Sequence, residues 1–177
     1  QHTYKKRMEQ ILNEIGTPFL DYKPQVTIVY KVINVETAYR SVNHYYKVDW
    51  NKKKCMLLVD EKCSPDILQE ICLQLNNGTV SVISEHYYNC YNDYNIQEDE
   101  SNYFILANHK LDVGFISRAM AHYQYLNQHT PIGLGNRKYI YDGVSSVENI
   151  LWPIAQFKEV LFERNGLDKI CYKIYYI

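Results

Sequence analysis

His86 and Cys90 are the nearest approach to a metal-ligating pair in the sequence. On a helix that spacing would set both side chains on one face. In a strand they would also share a face, but about 13 Å apart, too far to chelate one ion. A structural zinc site wants four ligands with a closely spaced pair among them. No second pair lies nearby, so the expectation is no metal and no cofactor. His44, His109 and Cys55 could still be brought together by the fold. For a cysteine nucleophile, Cys90 beside Asn89 and near His86 is the best nominee, yet no nucleophile signature surrounds it.

The sequence Gly133-Leu134-Gly135-Asn136-Arg137-Lys138 resembles a phosphate-binding turn. Such a turn follows a strand and opens a helix, so that backbone N–H groups face the phosphate. Here it is expected to follow a helix and precede a strand, which leaves Arg137 and Lys138 as weak anion contacts. A second weak anion or nucleic-acid contact is Lys52-Lys53-Lys54, and a third basic cluster, Lys5-Lys6-Arg7, sits on the first helix. Paired with tyrosines, such lysines could stack and neutralise a single strand of nucleic acid. The net charge of −1 removes the broad basic footprint that nucleic-acid or membrane-surface binding would favour.

The chain holds eighteen tyrosines against seven glycines. Tyr87, Tyr88, Tyr91 and Tyr94 gather next to the acidic run Glu98-Asp99-Glu100. Tyrosine buries a large rigid area while keeping a polar tip, so exposed members of this group are the candidate partner-binding residues. The five cysteines, Cys55, Cys63, Cys72, Cys90 and Cys171, are odd in number and widely spaced. That pattern suits reduced thiols of an intracellular protein better than a disulfide frame. The triplet Asn77-Gly78-Thr79 is a glycosylation sequon that would matter only in a secreted chain. No apolar run reaches the length of a membrane-spanning helix.

These residues must be positioned by an alternation of helices and strands. Met8, Ile11, Leu12 and Ile15 recur at helical spacing and Gly16 is a natural stop, which predicts a helix over 4–15. The β-branched run 25–33 reads as a strand buried in mid-sheet. Alternation of Val42, His44, Tyr46, Val48 and Trp50, a polar link, and then Cys55–Asp60 predict a hairpin over 41–60. Ser64-Pro65-Asp66 opens a helix that ends by Asn77. Strands follow at 79–84 and 103–107, then a helix over 111–126, a loop over 131–136 and a short strand over 139–141. Ser145 and Glu148 suggest a capping box for a helical region kinked at Pro153. A last strand covers 170–177.

The fold expected is α/β. It is one domain over residues 1–177, read as excised from a larger protein, with a mixed, largely antiparallel sheet of about six or seven strands and three or four helices. No constellation reaches catalytic specificity, which leans away from an enzyme. The leading reading is a non-catalytic domain of an intracellular protein that binds another macromolecule, a protein before a nucleic acid, and no membrane. The alternative is a hydrolase or nuclease whose site is assembled from dispersed His, Asp and Lys. The third is a single-stranded nucleic-acid module.

Overall fold

The structure is a computed structural model and describes residues 4–16, 23–86, 102–123, 126–134, 141–142, 148–156, 160 and 173–177. Its elements run α1 (Tyr4–Glu14), β1 (Val26–Val32), α2 (Val35–Lys47), β2 (Lys53–Val59), α3 (Pro65–Leu75), β3 (Val80–Ser84) and β4 (Tyr103–Leu106). They continue with α4 (Phe115–His122), β5 (Ile132–Gly133), β6 (Tyr141–Asp142), β7 (Ile150–Pro153), a 3₁₀ turn (Ile154–Gln156) and β8 (Lys173–Tyr176). The strands lie in the order β3-β2-β1-β4-β7-β5-β8-β6. The α/β class and the mixed sheet are as expected. The balance within the sheet is more parallel: β3, β2, β1 and β4 all run one way, β5 and β8 run parallel, and the antiparallel pairs are β4–β7, β5–β7 and β6–β8.

The parallel half has a simple cause. The expected hairpin over 41–60 is instead a β-α-β crossover, because residues 35–47 are helical. Asn34 caps that helix: its Oδ1 accepts from the Thr37 N–H at 2.8 Å, and the Asn34 N–H donates to Thr37 Oγ1 at 3.2 Å. The two bonds satisfy donors that an uncapped first turn would orphan. Ala38, Ser41, Val42 and Tyr45 are then buried at three-and-four spacing, a helical face that overrides the alternation read at Val42, His44 and Tyr46. Strand β1 lies in mid-sheet as expected, and Ser64 caps α3 by accepting from the Ile67 N–H.

The helical region expected around Pro153 is corrected at Ile150–Pro153, which form a fully buried strand between β4 and β5. Four consecutive buried residues carry no period of two, so such a run reads equally as helix or strand. Pro153 closes the strand, where its missing donor costs little. Ile132–Gly133, expected in a loop, is a two-residue strand. The final strand is integral, with β8 between β5 and β6 and Ile174 fully buried.

Two apolar layers flank the sheet. Ile28 and Tyr30 of β1, Leu57 of β2 and Ile105 of β4 pack under α2, α3 and α4, together with Ala38, Ile71, Phe115 and Ile116. The alternate residues Val29, Met56, Leu58, Phe104 and Trp152 form the core of the opposite face. A strand buried on both faces is what a parallel sheet covered on both sides requires. Among the described residues, no helix is long and apolar enough to cross a membrane.

Candidate functional site

The sheet order reverses next to β1. From β1 the chain crosses to β2 and β3 on one side, then returns to place β4 on the other. From their carboxyl ends β1 leads toward β2 on one side and β4 toward β5 on the other. In open α/β sheets ligands bind at such a switch point.

Five short segments meet there. After β1 the chain turns through Ile33 and Asn34 into α2. After β2, the Asp60 N–H donates to the Val32 carbonyl at 2.9 Å, and Asp60 Oδ1 accepts from the Lys62 N–H at 2.8 Å. After β3, Glu85 Oε1 lies 3.3 Å from Lys31 Nζ. After β4, the Ala107 N–H donates to the Val29 carbonyl at 2.7 Å, and Asn108 follows. The antiparallel β7 starts at the same end, where the Asn149 N–H donates to the Leu106 carbonyl at 2.8 Å.

Asn108 ties this end together. Its Nδ2 donates to Glu148 Oε2 at 2.6 Å, and its Oδ1 accepts from Asn149 Nδ2 and from the Lys110 N–H. Asn149 stands at φ 56°, a left-handed conformation that asparagine tolerates better than most residues. The loop after β4 is thereby fixed rather than left to solvent.

That loop runs back along α2 and borders an open groove of about 530 Å³, lined by Glu36, Tyr39, Arg40, Asn43, His44 and Lys47 of α2 and by His109. His44 and His109 do converge, with ring centroids 6.2 Å apart. His44 Nε2 lies 3.0 Å from the Leu111 carbonyl, which can only accept, so Nε2 carries the proton. In the neutral ring Nδ1 then accepts from the Tyr30 hydroxyl at 2.7 Å. Burial, followed by the nearby Cys55 and Tyr45, pushes the Tyr30 hydroxyl far above the ordinary phenol range. Burial lowers His109, and the neighbouring Arg40 and His44 lower it further.

Cys55 does not join the histidines. It is buried in β2, and burial pushes its thiol up to about 12, with Lys53 pulling the other way. Such a thiol is not a nucleophile. Cys55, Cys63 and Cys72 are free. Of the lysines expected to meet anions, Lys52 is exposed, but Lys53 turns inward. Its Nζ donates to the Tyr45 carbonyl at 2.9 Å and to the Val48 carbonyl, and lies 4.9 Å over the Tyr45 ring. Lys53 therefore closes the carboxyl end of α2, and Lys54 is partly buried in β2 beside it. Tyr87, Tyr88, Tyr91 and Tyr94, with Arg137, Lys138 and Cys90, lie outside the described residues.

No family model matches the sequence, and no curated protein matches it. Solved structures do match. One is the mannosyltransferase PcManGT from Pyrobaculum calidifontis in complex with GDP-Man and Mn2+, at TM-score 0.58 and 8% identity over 97% of this chain and 61% of that one. Another is S. aureus TarS 1-349, at TM-score 0.56 and 11% identity over 86% of this chain and 58% of that one. A third is the same TarS segment in complex with UDP-GlcNAc, at TM-score 0.55 and 10% identity over 86% of this chain and 56% of that one. The chain shares its fold with these three structures. It spans about six-tenths of the length of the structures it matches.

This likeness corrects the reading of the chain as a non-catalytic interaction domain. Hydrolase, nuclease and single-strand-binding readings are set aside with it, because the matched structures, a mannosyltransferase among them, share this fold. A site at a switch point would carry no compact motif for sequence reasoning to find. At a switch point the contributing residues come from the ends of separate strands, so Asn34, Asp60, Asn108, Glu148 and Asn149 show no spacing that marks them.

The mannosyltransferase complex contains Mn2+, which allows a test of the donor set here. Among the described residues no group of three or more His, Cys, Asp and Glu side chains is placed to hold a metal ion. The carboxylates at the switch point are separately engaged, Asp60 by Lys62, Glu85 by Lys31 and Glu148 by Asn108. Asn108, His109 and Lys110 follow β4, where a hard divalent cation would want oxygen anions. The described residues do not fit such an ion.

Proposed function

We propose that this chain is the nucleotide-sugar-binding part of a glycosyltransferase, with a nucleoside diphosphate sugar seated beyond the carboxyl ends of β1 and β4. The observation that carries the reading is the reversal of strand order at β1, in a fold shared with a mannosyltransferase along 97% of the chain. The reaction is transfer of the sugar from the diphosphate oxygen to an acceptor hydroxyl, with the nucleoside diphosphate leaving. The chain would contribute the cleft, the anchored loop after β4 and the capped start of α2. The intracellular reading is kept as part of this proposal, supported by the free thiols of Cys55, Cys63 and Cys72.

Thermal unfolding with UDP, GDP, UDP-GlcNAc and GDP-Man tests it. A ligand at a hundredfold excess over its Kd stabilises by about 2.7 kcal/mol, which raises the melting temperature of a chain this size by roughly 5 to 10 °C. One base should be preferred over the other. No shift with any of the four would overturn the reading.

A further inference from the structure

We propose that this chain takes its nucleoside diphosphate without a divalent cation, the diphosphate being met by Arg40, His109 and Lys110 instead. The inference rests on the glycosyltransferase reading and adds how the negative charge is held. Its starting point is the mismatch between the described donor set and a metal ion.

Each described carboxylate at the switch point already accepts from a protein donor. Asp60 takes the Lys62 N–H, Glu85 takes Lys31, and Glu148 takes Asn108 at 2.6 Å. Each keeps a second oxygen, but the three stand at separate places, and among the described residues no group of three or more His, Cys, Asp and Glu side chains gathers to hold a cation. The chemistry of the loop is the reverse of a cation site. Asn108 is neutral and its amide is spent on Glu148, Asn149 and Lys110. His109 and Lys110 follow it and are exposed.

Arg40 reaches toward the same place from α2, since it lines the groove with His109 and its charge is felt by that ring. Its bond to Glu36, at 2.8 Å, joins two exposed side chains one helical turn apart. Such a pair is worth well under about 1 kcal/mol and is readily exchanged for a phosphate. A guanidinium meets phosphate oxygens with two parallel N–H donors, and an ammonium adds a point charge. Together with a His109 N–H they neutralise a diphosphate as a cation would.

Calorimetric titration of the full chain with UDP and GDP, in excess EDTA and in excess Mn2+, decides the matter. The preferred nucleotide should bind with a Kd that differs by less than about threefold between the two buffers. The double variant Arg40→Glu with Lys110→Glu should weaken binding in EDTA by about tenfold or more. Both positions are exposed, so its melting temperature without ligand should stay within about 2 °C of the parent. Binding only with Mn2+, or tightening by more than about tenfold on adding it, would overturn the proposal. Unchanged affinity of the double variant would overturn the assignment of the residues. Absence of binding in both buffers would instead remove the glycosyltransferase reading and this proposal with it.

Discussion

Asn108 and Asn149 hold each other across the carboxyl end of the sheet. The Asn108 N–H donates to Asn149 Oδ1 at 3.1 Å, and Asn149 Nδ2 donates to Asn108 Oδ1 at 2.8 Å. Asn149 does this from a left-handed backbone at φ 56°. Asn149→Ala would lose both bonds and pay for the backbone, a destabilisation of about 2 to 4 kcal/mol. Asn149→Gly keeps the conformation and loses only the bonds, about 1 to 2 kcal/mol. Urea denaturation of the two variants should give that order. Equal losses would mean that the backbone conformation carries no cost.

Lys53 is expected to behave as a structural residue. Lys53→Met removes the donors to the Tyr45 and Val48 carbonyls and should cost about 1 to 2 kcal/mol, while Lys52→Ala should stay within about 0.5 kcal/mol. Denaturation midpoints of the two variants compare them directly. Similar midpoints would return Lys53 to the solvent.

Gly133 leaves room for a ring. A Cβ there would lie 2.9 Å from Tyr176 Cε1 and 3.1 Å from Cδ1, so strand β8 can sit beside β5 only if one of them gives way. Gly133→Ala should cost about 1 to 3 kcal/mol, and much less when Tyr176 is also replaced by Ala. A double-mutant cycle reads the coupling. Additive losses would show that the ring and the glycine do not meet.

His122 should make the fold acid-sensitive. Burial lowers its pKa below the ordinary value of 6.5, and its ring lies 5.6 Å from that of Tyr175. Between the lowered native value and 6.5 the unfolded chain binds more protons than the native one. Stability is therefore full above that window and falls as pH drops through it. Melting temperatures at a series of pH values between about 5 and 7 should decline toward acid in the parent, and the decline should be shallower in His122→Gln. Parallel curves would refute the assignment.

Much of the sheet was legible because its strands and caps are written locally. Val26–Val32 carries β-branched residues on both faces, and Ser64 with Pro65 marks the start of α3. Misreadings fell where two periods compete. In α2 the alternation of Val42, His44 and Tyr46 looks like a strand, although Ala38, Ser41, Val42 and Tyr45 define a helical face capped by Asn34. In β7 the continuous burial of Ile150, Leu151, Trp152 and Pro153 erases any period. The site was the least legible part. Of His44, His109 and Cys55, which could have converged, only the two histidines do, and the switch point depends on the order of strands in space, which no local pattern encodes.

The place of β7 between β4 and β5 bears on how the molecule is made. As synthesis proceeds from the amino terminus, β1, β2, β3 and β4 can assemble with their crossovers before residue 150 exists. During that interval β4 presents an open row of backbone donors and acceptors, backed by the apolar side chains of Phe104 and Ile105. Such an edge will pair with any extended chain nearby, including another nascent copy. The strand that ends this exposure must close a loop of about forty residues to reach its place, as the 41-residue separation of Asn108 and Asn149 records. Arrival of β7 is thus the step at which a sticky half-sheet becomes an interior, and the asparagine pair is the latch that the arriving strand brings with it.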